Sequence, residues 1–531
     1  MVSAADPRAA EAGAEILRKG GSATDAAIAT MLALTVVEPQ SSGIGGGGFY
    51  VRGTADGSVE TLDGRETAPA AATPRWFLGS DGKPLPFGEA VTSGLSIGVP
   101  GNLALAAEAH RRHGKLTWAA LFEPAIRLAR EGWTLSERGR DFLVRSKARA
   151  ARSKEGAALF YDAAGEPLPV GTRLTNPALA ATLERIAKGG ASAFYQGEAG
   201  NELAEVIAFD TPAPEGMTAR DISAYTAKER DPVCGAYRAY RICGMGPPSS
   251  GATTVLAILG QLERFDLSQM RADNPKFWHV FAESQRLAYA DRERFLADAD
   301  FVRVPVSQLI DRDYLAYRGG LIGIDKTAEK VEPGLDVIPP DGDEPPEHGT
   351  SHFAVIDKVG NAVSYTSTIE GPFGSGLMHQ GFYLNNELTD FSFTPVVDGL
   401  PVANRVESGK RPRSSMSPTL VYGPDGKLVL AIGAAGGHTI PVQVSKTLIA
   451  FIDWKLPIAE AIAVPVAFAP GDTLIVEKGS ALEAMIPALK ALGHERVVAY
   501  GLPLKTNAVA LTAHGPEGAG DPRSEGVAVK E

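Results

Sequence analysis

Hydrophobic and polar positions follow a helical spacing at the start of the chain. Apolar residues recur every three or four positions over residues 8–19, and Gly20-Gly21 ends this first predicted helix. Ser22 and Asp25 form a capping-box pattern ahead of the apolar run AAIATMLALTVVE. Two consecutive helices are therefore expected before the first glycine-rich segment.

The rest of the chain alternates between helical and strand-like segments. Short strands are expected around SSGIGGGGFYVRG and through VETLDGRETAP, whereas residues 350–450 combine strands with turns. Helices are expected over most of 100–230 and 251–330, and again at 440–453 and 480–492. This order indicates packed sheets flanked by layers of helix.

The segment EHGTSHFAVIDKVGNAVSYTSTIE predicts a β-hairpin. Two runs rich in β-branched and aromatic residues are separated by a three-residue loop that ends at Gly360. Glycine adopts the left-handed conformation that the end of such a loop needs. If Asp357 and Asn361 close the loop, Thr350 lies opposite Thr368, with roughly 5 Å between their Cβ atoms. A bulge would shift this register by one residue.

Composition and charge narrow the possible functions. A chain of 531 residues exceeds the size at which single cores stop growing, so one large domain or two domains are expected. Hydrophobic residues make up 44% and charged residues 22%, and no apolar run is long enough to span a membrane. The net charge of −11 is spread along the chain. Nucleic acid is not expected as a partner, because binding phosphates needs a basic face.

The N-terminus and the cysteines each leave two alternatives. The opening helix lacks the apolar core of a signal peptide. The protein is therefore either cytoplasmic, or periplasmic or secreted after removal of a leader. Cys234 and Cys243 are the only cysteines, and they either bridge neighbouring strands across a turn or stay unpaired.

Several familiar motifs do not fit this chain. The run GIGGGG at residues 43–48, with Asp63 downstream, matches a dinucleotide-binding fingerprint. That fingerprint needs a strand before the glycines and a helix after them, whereas here a predicted helix precedes and a predicted strand follows. No HExxH, CxxC, P-loop or GxSxG motif is present, and the nine histidines are scattered. A histidine-based triad, a metal site and a cofactor are therefore not expected.

The dipeptide Gly349-Thr350 is the strongest candidate for chemistry. It follows a Pro-rich stretch over residues 339–346 that is typical of a linker, and Gly349 has no side chain to block attack on its carbonyl. Cleavage there would give Thr350 a free α-amine, which can act as the base for its own hydroxyl. Thr368 would be placed to hydrogen-bond this nucleophile. The simpler alternative is that Thr350 only favours a strand.

The sequence resembles the γ-glutamyltranspeptidases, a family of self-processing N-terminal-nucleophile hydrolases. The resemblance spans nearly the whole chain and rests on ILRKGGSATDAAIA, GIGGGGFYV, LDGRETAP, GVPGNLA, GPPSSG, HGTSHFAVID, FYLNNELTDFS, KRPRSSMSPTL and GAAGGHTIP. It implies an α+β fold with a four-layer αββα sandwich. It also implies self-cleavage into a helix-rich large subunit, residues 1–349, and a small subunit, residues 350–531, which stay associated in one globule.

The resemblance implies roles for four residues in the reaction itself. Thr350 matches the nucleophile of both self-cleavage and acyl transfer, and Thr368 matches the hydroxyl that supports it. Gly436 and Gly437 match the backbone amides of the oxyanion hole. The implied substrates are γ-glutamyl amides such as glutathione, whose acyl group passes to water, an amino acid or a peptide.

Five further residues match those that bind the amino acid head group of the substrate. Arg65 matches the guanidinium on the glutamyl α-carboxylate, a task suited to its planar fork. Ser414 and Ser415 match the hydroxyls on the same carboxylate. Glu387 and Asp390 match the acceptors for the α-ammonium group. The resemblance thus implies a cation, hydroxyl donors and carboxylates around one zwitterion.

Three departures from the family pattern bear on the substrate. Glu370 stands where better-known members carry Asn near the ammonium, and three crowded carboxylates should raise the pKa of at least one of them. Because it lies two residues beyond Thr368, its side chain is expected on the same face of the strand. The segment that matches the lid, residues 391–413, is a few residues shorter than in lidded members, and GAAGG replaces Ser-Pro-Gly-Gly.

These departures keep two other hypotheses open. One is an amidohydrolase of the same fold, similar to a cephalosporin or glutaryl acylase or a small oxo-acid amidase. The other is a non-catalytic binding protein of this fold, against which the intact Thr350, Thr368 and Arg65 argue. The leading hypothesis is a self-processing γ-glutamyl hydrolase and transferase.

Overall fold

The computed structural model describes residues 1–213, 215–336, 339–340, 342 and 349–531. Most of the predicted Pro-rich linker, residues 341 and 343–346, lies outside these ranges. Within them, no helix is both long enough and apolar enough to cross a membrane.

The two predicted N-terminal helices form, and each has a side-chain cap. The predicted capping box is present, because the Asp25 N–H donates to the Ser22 hydroxyl and the Ser22 N–H donates to the Asp25 carboxylate. Asp6 caps the first helix, which begins at Pro7. The α-helices are α1 (Pro7–Arg18), α2 (Ala23–Val37), α3 (Phe87–Val91), α4 (Asn102–His113), α5 (Glu123–Glu131), α6 (Glu137–Arg145), α7 (Lys147–Ala150), α8 (Lys154–Phe160), α9 (Pro177–Gly189), α10 (Ser192–Tyr195), α11 (Gly197–Phe209), α12 (Ala219–Ser223), α13 (Gly251–Leu262), α14 (Pro275–Phe295), α15 (Val306–Leu309), α16 (Arg312–Gly320), α17 (Ile440–Ile452), α18 (Ile458–Ala463) and α19 (Ile486–Ala491).

Strands form two large sheets and several small ones. They are β1 (Val2–Ala4), β2 (Gly47–Gly53), β3 (Val59–Gly64), β4 (Trp133–Thr134), β5 (Arg173–Leu174), β6 (Lys228–Arg230), β7 (Val233–Tyr237), β8 (Tyr240–Gly244), β9 (Gly349–Ile356), β10 (Ala362–Glu370), β11 (Met378–His379), β12 (Phe382–Tyr383), β13 (Val396–Val397), β14 (Leu400–Pro401), β15 (Thr419–Tyr422), β16 (Leu428–Ala435), β17 (Ala467–Phe468), β18 (Thr473–Glu477), β19 (Arg496–Tyr500), β20 (Lys505–Thr512), β21 (Gly515–Gly520) and β22 (Val527–Val529). The glycine run at residues 43–48 leads from α2 into β2, so no helix follows it as a dinucleotide site would need.

The two large sheets pack face to face and carry helices on their outer faces. The first has the strand order β22-β1-β9-β10-β2-β3-β6, and the second has the order β21-β20-β16-β15-β8-β7. β9 and β10 contact β16 of the second sheet, α2 covers the first sheet, and α13 and α17 cover the second. This arrangement confirms the predicted α+β fold with αββα layers.

Successive side chains of β9 enter different apolar cores. Phe353 and Val355 belong to the core that contains α2, whereas Ala354 and Ile356 belong to the core that includes residues of both sheets and of α13 and α17. None of the four is more than 2% exposed. Because both faces of the strand are covered, it lacks the alternation of apolar and polar residues seen in a half-exposed strand.

The predicted hairpin forms with its predicted loop and register. Gly360 has a φ of +86°, and the Asp357 N–H donates to the Asn361 carbonyl at 2.9 Å. The ladder then runs in the predicted register from the Ala362–Ile356 pair to the Ser367–Ser351 pair.

A bulge ends this register before the two threonines. Glu370 pairs with Gly349, so Thr350 and Thr368 are not a paired position of the ladder and their predicted direct pairing is wrong. The cause is local, since the Glu370 N–H donates to the Thr368 hydroxyl at 2.8 Å and Glu370 has a φ of +70°. The bulge also interrupts the strand alternation from which a shared face for Thr368 and Glu370 was predicted.

Both large sheets combine strands from either side of the Gly349–Thr350 bond. In the first, β1 from the start of the chain lies between β22, which follows that bond, and β9, whose residues from Thr350 onward also follow it. In the second, β7 and β8 precede the bond, whereas β15, β16, β20 and β21 follow it. Cys234 and Cys243 face each other across β7 and β8 and form a disulfide.

Candidate active site

Two hydroxyl groups contact the carbonyl oxygen of Gly349, at the start of β9. The Thr368 hydroxyl donates to this oxygen at 2.6 Å, and the Thr350 hydroxyl also donates to it. Thr368 is oriented by the hydrogen bond that its oxygen accepts from Glu370. Both threonines are buried, with 6% of Thr350 and 2% of Thr368 exposed. In this uncut chain, Thr368 therefore polarises the carbonyl that Thr350 would attack, whereas the resemblance implied support for the Thr350 hydroxyl.

Gly349 and Gly436 allow close backbone contacts around this junction. A Cβ on Gly349 would collide with the Glu370 carbonyl, and one on Gly436 would collide with the Pro503 carbonyl. Gly436 and Gly437 have φ values of +127° and +58°, which favour glycine. Within the described ranges, neither of their amide N–H groups has a hydrogen-bond acceptor. Gly436 lines the same cavity as Thr350, whereas Gly437 is not among the described lining residues, and the oxyanion role of the two amides stays a prediction.

Arg65 lies in direct ion pairs with both predicted ammonium acceptors. Its side chain is 1% exposed, and it contacts the Glu387 carboxylate and, at 2.5 Å, the Asp390 carboxylate. It also donates to the carbonyls of Pro412 at 3.2 Å and Arg413 at 2.7 Å. The structure thus brings these three predicted residues together. To bind here, a substrate head group would have to displace the carboxylates that already pair with Arg65.

The two predicted serines follow directly on the chain segment that Arg65 contacts. Ser414 and Ser415 are buried, and the Ser415 hydroxyl accepts a hydrogen bond from Arg292 at 2.6 Å. The Ser414 hydroxyl accepts one from the Met416 N–H at 3.2 Å. Their backbone is fixed by the Ser250 N–H, which donates to the Ser414 carbonyl at 2.7 Å. The two serines thus lie on a fixed backbone, one and two residues beyond the Arg413 carbonyl that Arg65 contacts.

Glu66 is a buried member of this cluster that the sequence did not indicate. Burial raises its pKa to about 8, and burial also raises the pKa of Glu387 well above its usual range. Both Glu66 oxygens and one Glu387 oxygen lack a hydrogen-bond donor within the described ranges. A proton held between the two carboxyl groups would supply one of these missing donors, so the two side chains titrate together. The available signal was the position of Glu66, next to Arg65 in LDGRETAP.

Glu370 is buried beside the same cluster, with 3% of it exposed. It accepts a hydrogen bond from the Asn386 side chain, whose oxygen in turn accepts one from the Gly371 N–H at 2.9 Å. Its charge adds to that of Glu66 in raising the pKa of Glu387, after the larger effect of burial. Glu370 is therefore not a solvated residue at the end of a strand.

The segment that matches the lid folds over a small apolar core. Phe393 stacks on Phe77 with 4.2 Å between ring centroids, whereas Val396 and Leu400 are exposed at the tip. A Cβ on Gly342, seven positions before Gly349, would collide with Ser392 of this segment. One described residue of the chain before the junction therefore packs directly against the lid segment.

Comparisons with known proteins agree with this geometry. The family model for gamma-glutamyltranspeptidase matches residues 9–530. The chain is 37% identical over 515 residues to the glutathione hydrolase proenzyme of Bacillus subtilis strain 168, covering 93% of this chain and 85% of that protein. It is 34% identical over 524 residues to the acylase ACY 1 proenzyme of Pseudomonas sp. strain V22, covering 97% and 90%.

Solved structures place the same fold over the whole chain. Cephalosporin acylase from Bacillus halodurans matches with a TM-score of 0.85 and 26% identity, over 100% of this chain and 95% of that chain. The Helicobacter pylori γ-glutamyltranspeptidase matches with a TM-score of 0.58 and 36% identity, over 62% of this chain and 94% of that chain. With its αββα layers and its Gly-Thr junction at the head of a central strand, the chain belongs to the γ-glutamyltranspeptidase family.

Proposed function

We propose that this protein is a self-processing γ-glutamyl hydrolase and transferase that acts on γ-glutamyl amides such as glutathione. The observation that carries the proposal is the Gly349 carbonyl, which accepts hydrogen bonds from the hydroxyls of both Thr350 and Thr368. Cleavage at this bond gives a large subunit, residues 1–349, and a small subunit, residues 350–531.

Self-cleavage proceeds by attack of the Thr350 hydroxyl oxygen on the Gly349 carbonyl carbon. The C–N bond breaks and its nitrogen takes up a proton, so Gly349 becomes esterified to the Thr350 side chain. Water then hydrolyses the ester, which leaves a carboxylate on Gly349 and a free α-amine on Thr350. The Thr368 hydrogen bond lowers the barrier because negative charge grows on the carbonyl oxygen during the attack.

Acyl transfer reuses the same hydroxyl. The Thr350 α-amine accepts the hydroxyl proton as the oxygen attacks the γ-carbonyl, and this proton then passes to the leaving amine. The amides of Gly436 and Gly437 stabilise the oxyanion, and the product is a γ-glutamyl ester of Thr350. Water or an amino acid or peptide amine takes the acyl group and regenerates the hydroxyl.

The charged side chains of Arg65, Glu387 and Asp390 match the charges of an α-amino acid head group. The substrate α-carboxylate replaces a carboxylate on Arg65, and the α-ammonium takes over Glu387 and Asp390, so no buried charge is left alone. Hydroxyl donors for the carboxylate come from Ser414 and Ser415. A glutaryl group has no ammonium and would leave those carboxylates unmatched, although their pairing with Arg65 would partly compensate.

An acylase is the second candidate, because Glu370 replaces the usual Asn. The two candidate functions can be distinguished by measuring how fast the purified protein releases 4-nitroaniline from γ-glutamyl and glutaryl 4-nitroanilides. We expect faster release from the γ-glutamyl donor, and the reverse order would favour the acylase. N-terminal sequencing of the small fragment should begin Thr-Ser-His-Phe, and Thr350→Ala should stay uncut and inactive. An active protein that remains one intact chain would contradict the proposal.

A further inference from the structure

A cavity of about 550 Å³ adjoins the nucleophile and contains none of the head-group residues. Gly349, Thr350 and Gly436 form part of its wall, so it opens onto the reacting atoms. Arg65, Glu387, Asp390, Ser414 and Ser415 do not line it. No aspartate or glutamate lies among its described lining residues. The cavity is therefore a separate space on the nucleophile, with a positive lining.

Three arginines from α6 and α7 give this cavity its charge. In the described part of the chain, none of Arg138, Arg145 and Arg149 makes a direct ion pair with a carboxylate, although the charges of Glu38 and Glu370 act on Arg138 and Arg149. The guanidinium groups of Arg138 and Arg145 lie 5.3 and 4.9 Å from the Phe142 ring centroid. The buried Arg138 Nε lacks a hydrogen-bond acceptor, and Arg149 donates to the Gly374 carbonyl at 3.3 Å.

The other two cations of the lining are already neutralised. Lys505 contacts Glu38 at 2.8 Å, and Arg523 contacts Asp521 at 2.6 Å. Burial lowers the pKa of Arg149, and the negative charge of Glu370 offsets this effect only in part, so the charge of Arg149 lacks full compensation. Because Glu38 and Glu370 act on Arg138 and Arg149 without a direct ion pair, an anion that enters the cavity could contact the guanidinium groups without displacing a bound carboxylate.

The position of the cavity decides which part of a substrate enters it. The acyl carbon must lie at the Thr350 hydroxyl, and the acyl head group extends to Arg65. The amine half of the amide has to leave in another direction, and this cavity shares the nucleophile without sharing the head-group pocket. An incoming acceptor amine occupies the same space, because deacylation reverses the geometry of acylation.

We propose that Arg138, Arg145 and Arg149 form a subsite for a carboxylate on the amine side of the scissile amide. The carboxylate belongs either to the leaving group of the donor or to an amino acid or peptide acceptor. This inference rests on the proposed γ-glutamyl function and narrows its substrates to amides whose amine half is anionic. A peptide leaving group with a free C-terminus has this chemistry.

Two chromogenic donors test the leaving-group arm. L-γ-Glutamyl-4-nitroanilide and L-γ-glutamyl-3-carboxy-4-nitroanilide differ only in one carboxylate on the amine half. The ratio of kcat/KM for the carboxylated over the neutral donor should fall about tenfold in Arg138→Gln and Arg149→Gln. It should fall about threefold in Arg145→Gln, because that side chain is exposed and its charge is screened by solvent.

Arg140→Gln is the matched control, since Arg140 lies on the same helix and does not line the cavity. Its ratio should match that of the wild type within about twofold. The wild-type preference for the carboxylated donor should also weaken as salt is raised from 50 to 500 mM, in line with the shorter Debye length. Gel analysis of each variant verifies that processing is complete before kinetics are compared.

Two acceptors test the acceptor arm. With the neutral donor, the ratio of transfer to hydrolysis is measured for glycylglycine and for glycylglycine amide. If the variants lose only the preference for glycylglycine over its amide, the subsite binds the acceptor. If they lose only the preference for the carboxylated donor, the subsite binds the leaving group. Unchanged ratios in both arms for all three variants would overturn the subsite alone. A wild type that hydrolyses neither γ-glutamyl donor would overturn the proposed function and the subsite with it.

Discussion

The Thr368 hydroxyl donates a hydrogen bond of 2.6 Å to the Gly349 carbonyl oxygen, across a separation of nineteen residues in the chain. The bulge that follows Ser367 makes this contact possible, because it frees the Glu370 N–H to orient the same hydroxyl. The scissile carbonyl thus receives its hydrogen bond from a side chain of the neighbouring strand.

Thr368→Val should slow self-cleavage about a hundredfold while keeping the shape and strand preference of the side chain. The reason is the loss of one donor to the developing oxyanion, an effect known to reach this size in other enzymes. A gel time course of freshly made precursor measures the rate. Thr368→Ser keeps the hydroxyl and should cleave within about tenfold of the wild type. Equal rates for Val and Ser would remove Thr368 from the reaction.

Arg65→Lys should reduce kcat/KM for γ-glutamyl donors about thirtyfold, or about 2 kcal/mol, because Lys keeps the charge but loses the bidentate fork. Self-cleavage should keep its wild-type rate, since the α-carboxylate belongs to the substrate and not to the precursor. Steady-state kinetics and the processing gel together test both parts. The exposed Arg75→Lys serves as the control. An unchanged kcat/KM would exclude Arg65 from the head-group site.

Glu66→Gln should change how stability depends on pH. Folded Glu66 keeps its proton up to about pH 8, whereas the ordinary pKa of a glutamate is 4.5. The folded state therefore binds more protons between these values, and stability falls as pH rises through this window. The Gln variant has no proton to lose at position 66, so its stability should fall less over this window than that of the wild type, by a few kcal/mol, because only Glu387 of the pair still titrates.

Thermal unfolding at pH 5 and pH 8 measures the effect of Glu66. The wild type should lose more stability than Glu66→Gln between these two values. Glu205→Gln, on an exposed face of α11, should behave like the wild type. A Glu66→Gln variant with the wild-type pH dependence would show that Glu66 ionises normally in the folded protein.

Glu370→Asn should keep γ-glutamyl activity within about tenfold, or 1.4 kcal/mol, of the wild type. Asn removes one negative charge from beside Glu387, so an acyl group without an ammonium should gain relative to γ-glutamyl. Kinetics of both proteins on γ-glutamyl and glutaryl 4-nitroanilides give the selectivity ratio. Identical ratios would mean that Glu370 does not act on the acyl group.

The features of this site that the sequence predicted depend on residues that are close together in the chain. The β-branched runs and Gly360 predicted the hairpin and its register, because loop chemistry and strand propensity act over a few residues. The bulge could not be predicted from the same information. It depends on whether the Thr368 hydroxyl captures the Glu370 N–H, a choice that the pattern of residue types does not encode.

The rest of the site could not be predicted from local sequence, because its ion pairs join residues that are far apart in the chain. Arg65 meets Glu387 and Asp390 from 322 and 325 residues away, so only the family resemblance joined them before the structure did. Glu66 was missed because a carboxylate beside an arginine is usually a solvated charge. Its role depends on burial, which is a property of the fold.

Residues 1–349 and 350–531 share both large sheets, and this bears on the order in which folding and self-cleavage take place. Neither segment holds a complete sheet, since β9 needs β1 beside it and β15 needs β8. Assembly is unimolecular while the chain is whole, and cutting after Gly349 would make the reverse process a dissociation into two polypeptides. Recovery from denaturation would then depend on protein concentration, whereas the uncut Thr350→Ala chain would refold independently of it. If the chain folds before it is cut, the two segments assemble within one polypeptide and need not associate from solution.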